Sequence, residues 1–191
     1  MPLAEYIAKS NKLFQAGNST EHSFRGTLQN LIEALAPDVL VTNEPKRQAC
    51  GAPDYILSRG GVPLGFIEAK DLGDGDLEGE KKAGNKEQFD RYKASLDNII
   101  FTDYLRFFFY RNGEVVAKIT IGEIKNKKIV SNRENFDAFT AQIQDFCSYI
   151  GQSIKSPTQL AKLMAAKARL LANIIEQAIL QDEDSGEGSS L

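Results

Sequence analysis

The residues of this chain with the clearest chemical potential are two acids and a lysine. Asp54 follows a proline, and Glu68 and Lys70 lie at the end of an apolar run, with thirteen residues between the two acids. Two carboxylates can hold a Mg²⁺ ion that keeps several of its waters. A lysine beside them can orient the attacking water or help to deprotonate it, while the metal lowers the pKa of that water. This set of groups predicts hydrolysis of a phosphodiester.

A β-hairpin would bring these three side chains together. In an extended strand Glu68 and Lys70 project to one face, whereas Ala69 projects to the other. A tight turn at residues 59 to 61 would then place Asp54 beside Glu68. The alternative is a turn aspartate and a Glu-Lys pair on a solvated sheet face, because charged strand ends are common.

Three further polar residues fall where helices would bring them to the same cleft. Glu21 shares a helical stripe with Phe24 and Leu28, although an acid at this position is also favoured by the helix dipole. Gln88 and Tyr92 are four residues apart on the next predicted helix, so they share one of its faces. Alone, this pair is ordinary surface or core chemistry.

The apolar periodicity and the turn signals predict alternating helices and short strands around these residues. Helices are predicted over residues 3 to 14, about 20 to 36, 87 to 96, 133 to 150 and 156 to 180. Strands are predicted over residues 38 to 43, 54 to 59, 62 to 70, 98 to 102, 105 to 110 and 115 to 121.

Composition and charge exclude several classes of protein. The 191 residues have a formal net charge of −3. Residues 1 to 181 alone have a net charge of +1, and the four acids between residues 182 and 191 account for the difference. The charge therefore does not argue against a polyanionic partner. Cys50 and Cys147 match neither a metal-ligand spacing nor a disulfide framework, which favours a reducing compartment. No secretion signal or membrane span is evident, so we expect a soluble cytoplasmic protein with no membrane partner.

Taken in order, these motifs resemble the PD-(D/E)XK nuclease superfamily. The order is a helix acid at Glu21, then Pro53-Asp54, then Glu68-Ala69-Lys70, then a Q-x-x-x-Y element at residues 88 to 92 that is similar to the RecB-like branch. The surrounding sequence is similar to the N-terminal endonuclease domain of restriction enzymes fused to an adenine-specific DNA methyltransferase. This similarity is found around Glu21, at residues 43 to 46 and around Glu68. The resemblance covers roughly residues 15 to 125.

The resemblance implies an α/β fold with a restriction-endonuclease-like αβββαβ core, in which helices flank a central mixed sheet and further helices follow. It also implies DNA cleavage that depends on Mg²⁺, for which Mn²⁺ can substitute. Asp54, Glu68 and the Ala69 carbonyl would bind the metal, with Glu21 binding it through water. Lys70 would activate the water, and Gln88 and Tyr92 would position the DNA backbone or the active-site side chains.

Binding of double-stranded DNA would also need phosphate contacts. Lys46 and Arg47, just before the predicted hairpin, are the preferred candidates, although any single lysine is more often a solvated surface charge. The chain shows no helix-turn-helix or zinc finger that would read bases. RecB-type enzymes usually place a histidine upstream of the aspartate, and His22 is the one histidine here, for which a polar surface position is favoured.

The predicted domain organisation is a nuclease domain over residues 1 to 130, a helical pair over 131 to 181 and a disordered acidic tail over 182 to 191. The apolar face of the helix at 156 to 180 is wide enough to pack firmly. It would pack in the core, form a homodimer contact or connect to a methyltransferase and recognition module downstream.

The leading hypothesis is a metal-dependent DNA endonuclease domain of a restriction-modification system. The alternatives are a repair exonuclease or junction resolvase of the same fold, and a DNA-binding or assembly domain that does not cleave. The complete acid-acid-lysine set argues against the non-cleaving alternative.

Overall fold

The computed structural model describes residues 2–17, 21–43, 53–81 and 83–149, and six single residues between 161 and 172; the side chains of residues 21 and 83 are not described. Contacts join residues 1–45 and 53–151 into one compact unit. A second unit takes in residues 46–52 and 152–191. Its six described residues are all helical and lie within the predicted helix at 156 to 180, whose remaining residues are outside the described part.

The compact unit is built on a mixed sheet of six strands in sequential order. The elements of the sheet and its crossover are β1 (Leu40–Asn43), β2 (Tyr55–Arg59), β3 (Val62–Ala69), α3 (Ala83–Ser95), β4 (Asn98–Thr102), β5 (Arg106–Arg111) and β6 (Glu114–Thr120). β1 to β3 are antiparallel neighbours, β3 pairs with β4 in parallel, and β4 to β6 are again antiparallel. The parallel pair requires a crossover, which contains helix α3.

Helices cover both faces of this sheet. The larger core lies on the face covered by α1 (Pro2–Gln15), α2 (Glu21–Leu35) and α4 (Phe136–Ser148). A smaller, mostly aromatic core lies on the face covered by α3 and includes Phe89, Tyr92 and Phe101. Because both faces are covered, all five residues of β4 are buried. This is the α/β, αβββαβ architecture of the restriction-endonuclease-like fold, so the predicted fold class is confirmed.

The β2–β3 hairpin forms where the sequence predicts it. Gly60 and Gly61 have φ values of +56° and +80°, which L-residues rarely adopt and which a two-residue turn of this hand requires. The register pairs Tyr55 with Ile67, so the next position along the ladder brings Asp54 opposite Glu68. A register shift between Leu57 and Ser58 adds one residue to the β3 side.

Two features differ from the sequence-based expectation. Helix α3 begins at Ala83, four residues earlier than the predicted secure start. A separate two-stranded sheet, β7 (Gly122–Lys125) with β8 (Lys128–Ser131), was not predicted. Its turn residues Asn126 and Lys127 have φ values of +50° and +58°, and a lysine there gives no glycine signal for a turn.

The other predicted elements lie close to the observed ones. The predicted helix at 133 to 150 is a short 3₁₀ turn at Arg133–Asn135 followed by α4, whose buried aromatic residues pack in the larger core. The division of the chain near residue 130 stays a prediction, because residues 150 to 160 and most of those after them are outside the described part. Among the described helices, none is long and apolar enough to cross a membrane.

Candidate active site

The end of β3 sorts its side chains between the two cores. Ile67 and Ala69 are buried in the larger core under α1, α2 and α4. Glu68 and Lys70 project to the other face, where α3 lies, as strand alternation predicts. A backbone hydrogen bond from Lys70 N to Thr102 O, 2.8 Å long, extends the pairing with β4 to this point. The neighbouring strand therefore fixes the backbone from which both side chains project.

Glu68, Lys70 and Gln88 form a closed triangle of hydrogen bonds. Lys70 Nζ donates to Glu68 Oε1 at 3.0 Å and to Gln88 Oε1 at 2.9 Å. Gln88 Nε2 donates to Glu68 Oε1 at 2.7 Å. A glutamine amide can serve both partners because it carries a donor and an acceptor. Gln88 thus fixes the acid and the lysine relative to each other.

Tyr92 extends this triangle along α3. Its hydroxyl lies 3.5 Å from Gln88 Nε2, and its ring is part of the smaller core. Burial raises the pKa of the Tyr92 hydroxyl. Only 3% of Tyr92 is exposed, so the structure places it behind Gln88 rather than on an open surface.

A buried aspartate in the preceding loop positions the start of α3. Asp76 Oδ1 accepts hydrogen bonds from the backbone N–H groups of Glu80 and Lys81 at 2.8 and 3.0 Å. Its other oxygen accepts one from Asn85 Nδ2 at 3.1 Å. Because Asp76 is 2% exposed, these bonds satisfy a carboxylate that would otherwise be costly to bury. The loop therefore fixes the position of α3, so that Gln88 lies at the end of β3.

Asp54 stands directly before β2, and both of its carboxylate oxygens are bound. Oδ2 accepts a hydrogen bond from Ala69 N at 2.8 Å, which ties the loop before β2 to the end of β3. Oδ1 accepts one from Arg25 Nη2 at 2.7 Å. The side chains of Arg25 and Asp54 are 12% and 17% exposed. The Asp54 carboxylate is thus held between α2 and β3.

Sequence reasoning assigned no role to Arg25. The signal that points to it is its spacing, because Arg25 is four residues after Glu21 and therefore on the same face of α2. The sequence pattern gives a role to the acid on this face, and the arginine lies one turn further along it.

The Glu68 carboxyl has a strongly raised pKa. The pKa of this carboxyl is raised from 4.5 to about 7, first by burial and then by the nearby negative charge of Asp54. Lys70 and Gln88 act in the opposite direction, through charge and hydrogen bonds. The positive charge of Lys70 therefore does not fully offset the effects of burial and of Asp54 on the ionised Glu68 carboxylate.

The donor set fits a hard divalent cation. Asp54 and Glu68 supply carboxylate oxygens from adjacent strands, and the unfavourable charge on Glu68 is the kind that a cation relieves. Within the described side chains there is no group of three or more acids, histidines or cysteines that could hold a metal. The predicted third acid, Glu21, begins α2, but its side chain is not among those described.

The remaining predicted residues are placed as follows. Lys46 and Arg47, the predicted phosphate contacts, lie outside the described residues, as does Cys50. His22 is exposed on α2, as favoured from the sequence. Cys147 is a buried free thiol whose pKa burial raises to about 11.

Fold and site together define an α/β protein of restriction-endonuclease-like fold with two acids and a lysine at adjacent strand ends. The chain matches no protein-family profile and no curated protein. Among solved structures, its fold is similar to a chain in the cryoEM structure of the DrdV–DNA complex, with a TM-score of 0.56 and 19% sequence identity. The match covers 78% of this chain and 14% of that chain, so this chain spans a small part of its neighbour's length. At this identity the likeness shows the fold.

Proposed function

We propose that this chain is the DNA endonuclease domain of a restriction-modification enzyme of the PD-(D/E)XK superfamily, dependent on Mg²⁺ or Mn²⁺. The observation that carries the proposal is the hydrogen-bonded triangle of Glu68, Lys70 and Gln88 next to Asp54. Asp54 and Glu68 each have a cationic partner, Arg25 and Lys70, but the negative charge of Asp54 still contributes to the raised pKa of Glu68. A divalent cation between the two acids would relieve this repulsion.

The metal would be held by Asp54, Glu68 and the carbonyl of Ala69, with Glu21 as a ligand through water. When bound there, a divalent cation lowers the pKa of a coordinated water and stabilises the charge that develops on the phosphate. Hard cations accept such an oxygen set and leave positions for water and for a phosphate oxygen.

The chain's own residues would orient the reactants. Lys70 would donate hydrogen bonds to the attacking water or to a phosphate oxygen, since its Nζ has three donors. Gln88 would hold Lys70 at the correct distance from Glu68, and Tyr92 would support Gln88 from within the smaller core. The water oxygen would form a bond to phosphorus as the bond from phosphorus to one ester oxygen breaks. The proton of the attacking water would pass to solvent, and the leaving oxygen would take a proton from water to become a hydroxyl group.

DNA as the substrate is supported by the fold, which is similar to that of a chain in a complex with DNA. Because the sequence resembles the N-terminal domain of restriction enzymes fused to an adenine-specific DNA methyltransferase, we further propose that a methyltransferase and recognition module accompanies this chain, either fused or in complex. Such a module would supply the reading of bases.

The test is incubation of covalently closed plasmid DNA with the whole chain and Mg²⁺, with and without the proposed methyltransferase and recognition module. A closed circle has no ends, so nicked or linear product identifies an endonuclease. Asp54→Asn and Lys70→Met are each expected to lower the cleavage rate by about 100-fold or more. EDTA is expected to abolish cleavage.

Asp38→Asn is the matched control, because Asp38 also pairs with an arginine, Arg59, but is 63% exposed at its side chain and lies outside the candidate site. It is expected to cleave at the wild-type rate. Cleavage of linear DNA alone would favour the exonuclease alternative. Binding of DNA without metal-dependent cleavage under any of these conditions would refute the enzymatic function.

A further inference from the structure

Arg25 forms an ion pair with Asp54, the carboxylate that would also bind the divalent cation. Its guanidinium lies 2.7 Å from Asp54 Oδ1, while the other Asp54 oxygen is bound to the backbone of β3. Both groups are mostly buried, with side-chain exposures of 12% and 17%. Charges in such a position are screened less than at the surface.

A divalent cation at Asp54 would therefore lie close to the Arg25 guanidinium, which is already in contact with the same carboxylate. The guanidinium neutralises part of the negative charge that attracts the metal, and it repels a second cation a few ångströms away. Arg25 must share Asp54 with the metal or move away from it. Either way, its charge lowers the affinity of the site for the metal.

A DNA phosphate would be an alternative partner for Arg25. A phosphate bound next to Asp54 and Glu68 comes within reach of a guanidinium that touches Asp54. Arginine binds phosphate oxygens with paired hydrogen bonds, which suits it to this exchange. A partner that draws the guanidinium from Asp54 would leave more negative charge for the metal.

We propose that Arg25 is a positioning residue that holds Asp54 in the metal-free chain, weakens metal binding there, and shifts to a DNA phosphate, so that DNA strengthens metal binding. This inference rests on the proposed function. Binding energies are reciprocal, so the metal must strengthen DNA binding by the same factor. Without DNA, Arg25 keeps the affinity of the site for the metal lower than it would be without this charge.

The first test is titration of the whole chain with Mn²⁺ in the absence of DNA, with free Mn²⁺ measured by electron paramagnetic resonance. Arg25→Gln is expected to bind Mn²⁺ at least about fivefold more tightly than the wild type. Arg25→Met, which also removes the charge, is the second variant in case Arg25→Gln does not fold. Arg59→Gln loses one positive charge outside the site and is the matched control, with no change expected.

The second test repeats the titration with a short DNA duplex. All proteins carry Lys70→Met, so that the DNA is cleaved at least about 100-fold more slowly during the titration. DNA is expected to tighten Mn²⁺ binding by about tenfold when Arg25 is present, and by clearly less in Arg25→Gln. A filter-binding measurement of DNA affinity with and without Mn²⁺ should give the same ratio.

The outcomes separate this inference from the proposed function. If Asp54→Asn abolishes Mn²⁺ binding but Arg25→Gln and Arg25→Met leave it unchanged or weaker, the role of Arg25 is refuted while the metal site stands. The same holds if DNA tightens Mn²⁺ binding equally with and without Arg25. If Asp54→Asn binds Mn²⁺ like the wild type, the proposed metal site and the proposed role of Arg25 are both refuted.

Discussion

Glu68 shows at the scale of one residue how a buried carboxyl opposes folding near neutral pH. Its carboxyl is buried next to Asp54, and the pKa is raised to about 7. A carboxyl whose pKa is higher in the folded chain binds its proton more tightly there than in the unfolded chain. Its contribution to the free energy of unfolding is therefore fully present below about pH 4.5 and is lost as the pH rises through about 7.

Glu68→Gln is expected to remove this loss, because glutamine cannot ionise and keeps an oxygen that can accept from Lys70 and Gln88. Without divalent cations, the variant should gain up to about 3 kcal/mol in stability relative to the wild type between about pH 5 and about pH 8. Urea unfolding of both proteins at the two pH values, in EDTA, measures the gain. A difference between them that is independent of pH would contradict the assignment.

The candidate site was predictable where side-chain periodicity alone places the residues. Strand alternation puts Glu68 and Lys70 on one face, and helical spacing puts Gln88 near Tyr92. The Arg25–Asp54 pair was not predicted, because the partner of a buried charge depends on how α2 packs against the hairpin. The spacing of residues within α2 does not show how the helix packs against the hairpin.

At the scale of elements, the packing of α4 on β3 depends on one glycine. A Cβ atom at Gly65 would lie 2.5 Å from Phe146 Cζ and 2.9 Å from Asn98 Nδ2. That amide donates to the carbonyls of Leu64 and Phe146, both at 2.9 Å, and so links β4 with β3 and α4. Gly65 therefore allows α4 to approach the strand that carries Glu68.

Gly65→Ala is expected to destabilise the protein by about 1–3 kcal/mol, because the new methyl group overpacks this contact. Chemical denaturation measures the effect. Gly26→Ala is the matched control, since Gly26 lies in α2 with nothing within 4 Å of an added Cβ, and alanine there should stabilise the helix by up to about 1 kcal/mol. Equal stabilities for the two variants would show that α4 does not depend on close approach at Gly65.

The elements were predictable to different degrees for physical reasons. Strands β2 and β3 carry their own turn signal in Gly60-Gly61, so both were placed within a few residues. The β7–β8 hairpin turns through Asn126 and Lys127, and lysine gives no glycine-type turn signal. The predicted start of α3 is too late because its first turn is held by Asp76 through Asn85, nine residues away, and the local sequence is rich in glycine and charge.

For the whole molecule, the proposed metal site links cation binding to folding. A cation that binds only the folded chain stabilises it by about 2.7 kcal/mol at a concentration 100 times the dissociation constant. Adding Mg²⁺ should therefore raise the melting temperature of the wild type. Thermal unfolding followed by circular dichroism, at constant ionic strength, measures the rise.

Asp54→Asn provides the control for this prediction, because it should lose most of the rise with Mg²⁺. The same rise in Asp54→Asn and in the wild type would mean that Mg²⁺ stabilises the chain at another place. Asp38→Asn, altered at an exposed acid, should respond like the wild type.

The most direct test of the central claim is the position of Mn²⁺ in crystals of the chain grown with Mn²⁺ and duplex DNA. Anomalous scattering identifies the ion independently of any assay. The account predicts a peak in contact with carboxylate oxygens of both Asp54 and Glu68, at about 2.2 Å, with a DNA phosphate beside it. Ordered DNA in these crystals with no Mn²⁺ peak at this pair of acids would contradict it.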